Sequence, residues 1–199
     1  MSQNTTTPKL GERFSHALTF AADKHRTQVR KGGDIPYLGH LLSVAGLVIE
    51  AGGDETEAIA ALLHDAAEDA GGEATLAEIR DIFGEAPAAI VAECSDTFET
   101  PKPPWKDRKR SYIEHVATAT DSAVLVSLAD KLDNARGMLR DHRALGDALW
   151  QRFSVQDPRE HLWYYTSLLA VFRQRRPGCW MVEELGRVIE ELGARVTAA

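Results

Sequence analysis

The stretch A-L-L-H-D-A-A-E-D, residues 61 to 69, decides how the rest of the chain is read. As a helix it stacks positions four apart on one face, so His64 lies over Glu68 and Asp65 over Asp69. One helix then presents four titratable groups in two adjacent columns, directly after the apolar pair Leu62–Leu63. A charged pair at the edge of a buried face is costly unless it is paired or metal-bound. Glu68 and Asp69 admit a plainer reading, as residues that cap or solvate the helix end before Gly71–Gly72. Acidic residues at a helix C-terminus oppose the macrodipole, which speaks against a purely structural role.

Outward from this stretch the pattern stays helical. Apolar residues at helical spacing run through Phe14, Ala17, Leu18, Ala21 and Ala22, and again through Leu41, Val44, Ala45 and Val48. Thr75 and Glu78 match a capping box, with Gly84 as the stop. A helix is predicted over Trp105–Thr118, and Asp121 is expected to cap a long one through Val124, Leu128, Leu132 and Met138. Two more are predicted around Glu160–Gln174 and Met181–Leu192, with Pro177 and Gly178 between them. No alternating strand pattern stands out, and the apolar run Val124–Leu128 continues into helical spacing. The expected fold class is all-α, a single helical-bundle domain over residues 1–199. Its motif-bearing core covers about 14–140 and its C-terminal helices about 146–194. The loops Thr27–Gly39 and Thr97–Pro104, rich in Gly, Pro and charge, are candidate functional segments.

Composition narrows the function. A chain of 199 residues with 44% apolar and 27% charged residues suits one soluble globular domain. No stretch is apolar enough to span a bilayer, and MSQNTTTPKL lacks a signal-peptide core, so a cytoplasmic location and no membrane partner are expected. Cys94 and Cys179 fit a reducing compartment, with Cys94 read as a small buried hydrophobe. A net charge of −7 argues against nucleic acid as a partner. A small anion is still compatible where basic residues cluster. Arg30–Lys31 is one such place: a guanidinium can stack on a purine and still bond phosphate. Lys102, Lys106, Arg108, Lys109 and Arg110 around Trp105 form another. They read either as a receiver of distal phosphates or flap, or as the solvated face of a helix start. Trp163-Tyr164-Tyr165 reads as core or subunit interface, and His16, His115, His142 and His161 as satisfied or surface histidines.

Two further groups complete the chemistry. His40 opens a helix after P-Y-L-G, and Asp130 lies in S-L-A-D-K-L-D-N among apolar neighbours. With His64 and Asp65 they make two imidazoles and two carboxylates. That mixed set suits Mn²⁺, Fe²⁺, Co²⁺, Ni²⁺ or Zn²⁺ better than Ca²⁺ or Mg²⁺.

The H…HD…D arrangement of His40, His64-Asp65 and Asp130 resembles that of the HD superfamily. The chain is similar, more closely, to the hydrolase domain of the Rel/Spo alarmone enzymes and their stand-alone relatives, the small alarmone hydrolases. The matching pieces are H-R-T-Q-V-R-K (25–31), P-Y-L-G-H (36–40), L-L-H-D-A-A-E-D (62–69) and L-A-D-K-L-D-N (128–134). The likeness runs from about Phe14 to Arg140, and nothing resembles a synthetase domain. It implies a single HD-domain helical bundle in which His40, His64, Asp65 and Asp130 hold a metal, usually manganese. It implies catalysis by Glu68 and Asp69, a base and sugar pocket lined by Arg30 and Lys31, and substrate contact by Asn134. Leu41 replaces the proline that commonly follows the first histidine, and Gly137 stands where the Rel enzymes carry a hydroxyl residue.

The expected activity is metal-dependent hydrolysis of a nucleotide 3′-diphosphate such as ppGpp, or its adenosine analogue, releasing pyrophosphate. The metal acidifies a water and polarises a phosphoryl oxygen, and Glu68 or Asp69 takes the water's proton. The alternative is an HD-domain phosphatase acting on NADPH or a nucleoside monophosphate. Two other classes compete: a non-catalytic nucleotide sensor, and an interaction protein using Trp150 and Trp163 as an exposed apolar patch.

Overall fold

Two helices have runs buried on every side, and the others arrange themselves around them. In α8 (Asp121–Leu145) every residue from Ala123 to Asp130 is buried, and in α3 (Glu55–Leu63) every residue from Ala58 to Leu63. A helix apolar all round belongs inside a core. The structure, a computed structural model, describes residues 9–97 and 101–197. Among these, α1 (Glu12–Lys24) packs on α3, and α2 (Leu38–Glu50) packs on both α3 and α8. After α3 come α4 (Ala66–Asp69), α5 (Glu73–Phe83) and α6 (Glu85–Cys94), the last closing on α3 and α8. Beyond the Trp105–Thr118 helix (α7) and α8, a 3-10 segment (Gly146–Arg152) leads to α9 (Pro158–Arg175) and α10 (Trp180–Thr197). These last two helices pack on each other and on α8, and α9 also meets α7. The class is all-α, and a lone antiparallel bridge between Val29 and Pro36 is the extended pairing among the described residues.

Several local expectations change. The helix expected over 61–69 is interrupted at His64–Asp65 and continues as α4. The His64 ring bonds the Ala61 carbonyl at 2.8 Å, the group an unbroken helix offers to the residue-65 amide. The capping box lies not at Thr75–Glu78 but at Asp54–Glu57, where side chain and backbone bond reciprocally. Thr75 is buried inside α5 and donates its hydroxyl to the Ala70 carbonyl. Gly84, at φ 91°, does stop that helix. Thr120, not Asp121, caps α8, its hydroxyl accepting the Ala123 amide. The first loop ends at Tyr37, because Leu38 and Gly39 already belong to α2. Of the loop Thr97–Pro104, residues 98–100 lie outside the described residues, as do residues 1–8 of the N-terminal stretch read for a signal core. No helix of the described residues is long and apolar enough to cross a membrane.

Candidate active site

The site forms where the two buried runs end. His64 follows directly on the buried stretch of α3, Asp130 is the last residue of the buried stretch of α8, and His40 lies in the first turn of α2. His64 Nε2 is 3.0 Å from Asp65 Oδ2 and 3.6 Å from Asp130 Oδ1. His40 Nε2 is 3.2 Å from the same Asp130 oxygen and 3.6 Å from the same Asp65 oxygen. Four donor atoms from three places in the chain thus surround one point.

All four groups are tethered, the imidazoles through their outer nitrogens and the carboxylates partly through the facing oxygens themselves. His40 Nδ1 is 2.6 Å from Asp133 Oδ2, and His64 Nδ1 holds the Ala61 carbonyl. The Tyr37 hydroxyl donates to Asp65 Oδ2 at 2.5 Å. The Lys131 ammonium donates to Asp130 Oδ2 at 2.5 Å, and the Asn134 amide donates to Asp130 Oδ1. Both Nε2 atoms, by contrast, are buried without a hydrogen-bond partner.

That combination fits a divalent metal. Two ligands of one ion, each about 2.1 Å away, stand about 3.0–3.4 Å apart, close to the spacing of these donors. A second tether on each imidazole fixes the tautomer and aims the ring, as metal sites require. His40, His64 and Asp65 form a group able to hold an ion, with Asp130 Oδ1 3.2 and 3.6 Å from the two imidazoles. Burial opposes a charge on His40, but the carboxylates of Asp130, Asp133 and Asp65 around it outweigh burial and push its pKa up to about 9. His64 is raised too, burial again being outweighed by the Asp65 charge and the nearby Asp130 carboxylate. Both aspartates are held well below the usual carboxylate range despite their burial, Asp65 chiefly by His64 and Asp130 chiefly by Lys131.

The acidic pair diverges from this point. Glu68 accepts from Lys102 at 2.7 Å and from the Asp96 amide at 3.2 Å. Asp69 accepts from Gln28 at 2.7 Å, and Gln28 is itself bonded to His25 Nδ1 at 2.5 Å. Burial, then the Asp65 charge, raises the Asp69 pKa, the direction that suits a group taking up a proton. His25 stacks on Tyr37 with ring centroids 5.4 Å apart, so the first loop braces both Asp65 and Asp69.

A cavity of about 430 Å³ adjoins the site through the residues that tether two of its donors. Its lining includes Tyr37, Lys131 and Asn134, the residues that bond Asp65 and Asp130. Arg30 and Lys31 also line it, with Arg30 5.8 Å from the Tyr37 ring centre. Gly137 faces Arg30: a Cβ there would stand 3.2 Å from the guanidinium, so glycine leaves that side chain its room.

The basic cluster around Trp105 is largely neutralised. Lys102 pairs with Glu68, Lys106 with Glu160, and Arg108 and Lys109 with Asp96. Trp105 turns to the cavity and packs against His161 at 5.5 Å. His161 is buried in the cavity wall and donates its Nε2–H to the Val155 carbonyl, 2.7 Å away. His142 is buried as well, whereas His16 and His115 are exposed. Trp150 is 3% exposed, wedged among His142, Phe153 and His161, so it forms no surface patch with Trp163. Burial pushes the Cys94 thiol up to about 12.

Sequence reading missed Tyr37, Asp133 and the His25–Gln28 brace. The signal was present in their spacing, since Tyr37 and Asp133 each lie three residues from a donor, one helical turn away.

An all-helical domain centred on a histidine, a His-Asp pair and a distant aspartate defines a class, the HD-domain hydrolases, which bind divalent metals. The chain belongs to the HD-domain family, whose model matches residues 17–152. It is 42% identical over 127 residues to a guanosine-3′,5′-bis(diphosphate) 3′-pyrophosphohydrolase, MESH1, of Xenopus tropicalis, covering 62% of this chain and 68% of that one. The human MESH1 protein is 39% identical over 144 residues, 71% of this chain and 75% of its own. A solved structure, described as a metazoan ortholog of SpoT that hydrolyzes ppGpp and plays a role in starvation responses, superposes with a TM-score of 0.74 at 29% identity. It covers 95% of this chain and 99% of its own.

Proposed function

We propose that this chain is a metal-dependent 3′-pyrophosphohydrolase of a guanosine alarmone such as ppGpp, acting as one domain over residues 1–199. The observation that carries the reading is the pair of buried, partnerless Nε2 atoms facing two carboxylate oxygens beside a nucleotide-sized cavity. The relatives named for this activity support the choice of substrate. His40, His64, Asp65 and Asp130 hold the metal, with Mn²⁺ favoured by the resemblance. When bound, the metal supplies Lewis-acid polarisation and an acidified water.

The residues of the chain do the rest. Arg30 and Lys31 seat the base and sugar, and Asn134 contacts the sugar while bracing Asp130. The 3′ arm then points at the four donors. Asp69, whose proton affinity is raised, accepts the proton of the attacking water, and Glu68 orients that water. The bond broken joins the ribose 3′ oxygen to the first phosphorus, and the products are GDP, or GTP from the longer alarmone, and pyrophosphate. The test is incubation of the protein with ppGpp and Mn²⁺ in labelled water. GDP with label in the pyrophosphate supports the reading. Orthophosphate from the 5′ end, or turnover of NADPH or a monophosphate alone, overturns it.

A further inference from the structure

One wall of the cavity holds cations and a hydroxyl that the roles above leave unused. Tyr164 lines the cavity and is 5% exposed, yet its hydroxyl is buried without any hydrogen-bond partner. Lys109 lies on the same wall with its ammonium 5.0 Å from the Tyr164 ring centre. Lys131 lines it too, packed 4.8 Å over the Tyr112 ring. Each lysine uses a carboxylate as anchor, Asp96 at 2.9 Å for Lys109 and Asp130 at 2.5 Å for Lys131. An ammonium has three donors, so both keep others for a ligand.

This arrangement is unfavourable for the fold by itself. A buried hydroxyl without a partner costs stability. Burial, followed by the Lys131 charge, pulls the Lys109 pKa below the ordinary lysine range. An anion held on this wall would offer each of these groups a partner. Lys131 ties the wall to the reaction, because Asp130, its partner, faces both imidazoles with its other oxygen.

We propose that Tyr164, Lys109 and Lys131 form an inner phosphate subsite that takes the outer phosphate of the 3′ arm and holds the departing pyrophosphate. Identifying the anion as this arm rests on the function proposed above. The subsite places positive charge where negative charge gathers as the 3′ bond breaks. It also separates two tasks. The exposed Arg30–Lys31 loop recognises the nucleoside, and the buried wall grips the group that leaves.

The experiment measures binding of inorganic pyrophosphate, by calorimetry, to the full-length protein with Mn²⁺ in excess. Tyr164→Phe removes a hydroxyl that holds nothing in the fold, so its melting temperature stays level or rises while pyrophosphate binds about tenfold more weakly. Lys109→Met loses at least as much, and Lys109→Gln, whose amide still meets Asp96, serves as its check on folding. Metal content and guanosine binding stay unchanged in all three. The proposal is overturned if the wild-type protein does not bind pyrophosphate, or if the variants bind it within about twofold of wild type. If pyrophosphate binding depends on Tyr164 and Lys109 but no 3′-diphosphate nucleotide is hydrolysed, the subsite stands and the substrate assignment falls.

Discussion

The two sides of the cavity are built on opposite principles. The metal side comes from the ends of buried helical runs: each imidazole has Nδ1 tethered and Nε2 turned to the aspartates, and each facing carboxylate oxygen is itself held by a side chain. The nucleotide-side wall comes from the loop before α2, where Lys31 is exposed and Arg30 half-buried. Rigid helices fix donors to a fraction of an ångström, which chemistry needs, while a loop can adapt to a base and sugar. The difference predicts how substitutions sort: changes on the first wall abolish chemistry, and changes on the second weaken binding.

The largest effect is expected at Asp130. Asp130→Ala removes one donor, strips Lys131 of its partner and frees Asn134, so metal and turnover are lost together. Full metal occupancy in that variant would break the comparison at its root. Next come Glu68→Gln and Asp69→Asn, which keep size but cannot accept a proton. Turnover should fall by about 10²–10⁴ with metal content intact. Near-normal rates in both would make the acidic pair structural.

A smaller effect is expected at Asp133, whose carboxylate bonds His40 Nδ1. Asp133→Asn should weaken metal affinity about 10–100-fold, measured by competition with a chelator. The sign of its pH dependence follows from His40. Metal needs the neutral ring, and the His40 pKa is raised to about 9, so affinity falls as pH drops below that value. Asp133 is one of the groups that raise it. The variant should therefore lose most at alkaline pH and least in acid, where weaker proton competition offsets part of the loss. A loss independent of pH would assign Asp133 a packing role only.

The smallest effect is expected on the loop wall. Arg30→Ala should raise KM about tenfold and leave kcat nearly unchanged. A loss confined to kcat would place Arg30 on the chemical side instead.

The legibility of the two walls differs for the same reason. His64-Asp65, His40 and Asp130 could be read directly, because metal chemistry restricts the residue types and buried helices restrict their spacing. The interruption after Leu63 could not, since it arises when the His64 ring takes the Ala61 carbonyl, a choice the spacing does not encode. Thr120 caps α8 although Asp121 beside it is an equally good capping residue type, and Asp54–Glu57 carries the capping-box pattern at the start of α3. The pairing inside the basic segment Lys102–Arg110 could not be read, because its counter-charges Glu68, Asp96 and Glu160 come from elsewhere in the chain, whereas Lys109 also lines the cavity. Trp150 looked like surface for a similar reason: its neighbours His142 and His161 come from α8 and α9.

The central claim is that four side chains from separate elements hold one divalent cation. The most direct measurement is an anomalous difference map from crystals of the protein soaked in Mn²⁺. The account predicts one strong peak, bounded by Nε2 of His40, Nε2 of His64 and carboxylate oxygens of Asp65 and Asp130. No peak at that point, or a strong peak ligated by other residues, would contradict it.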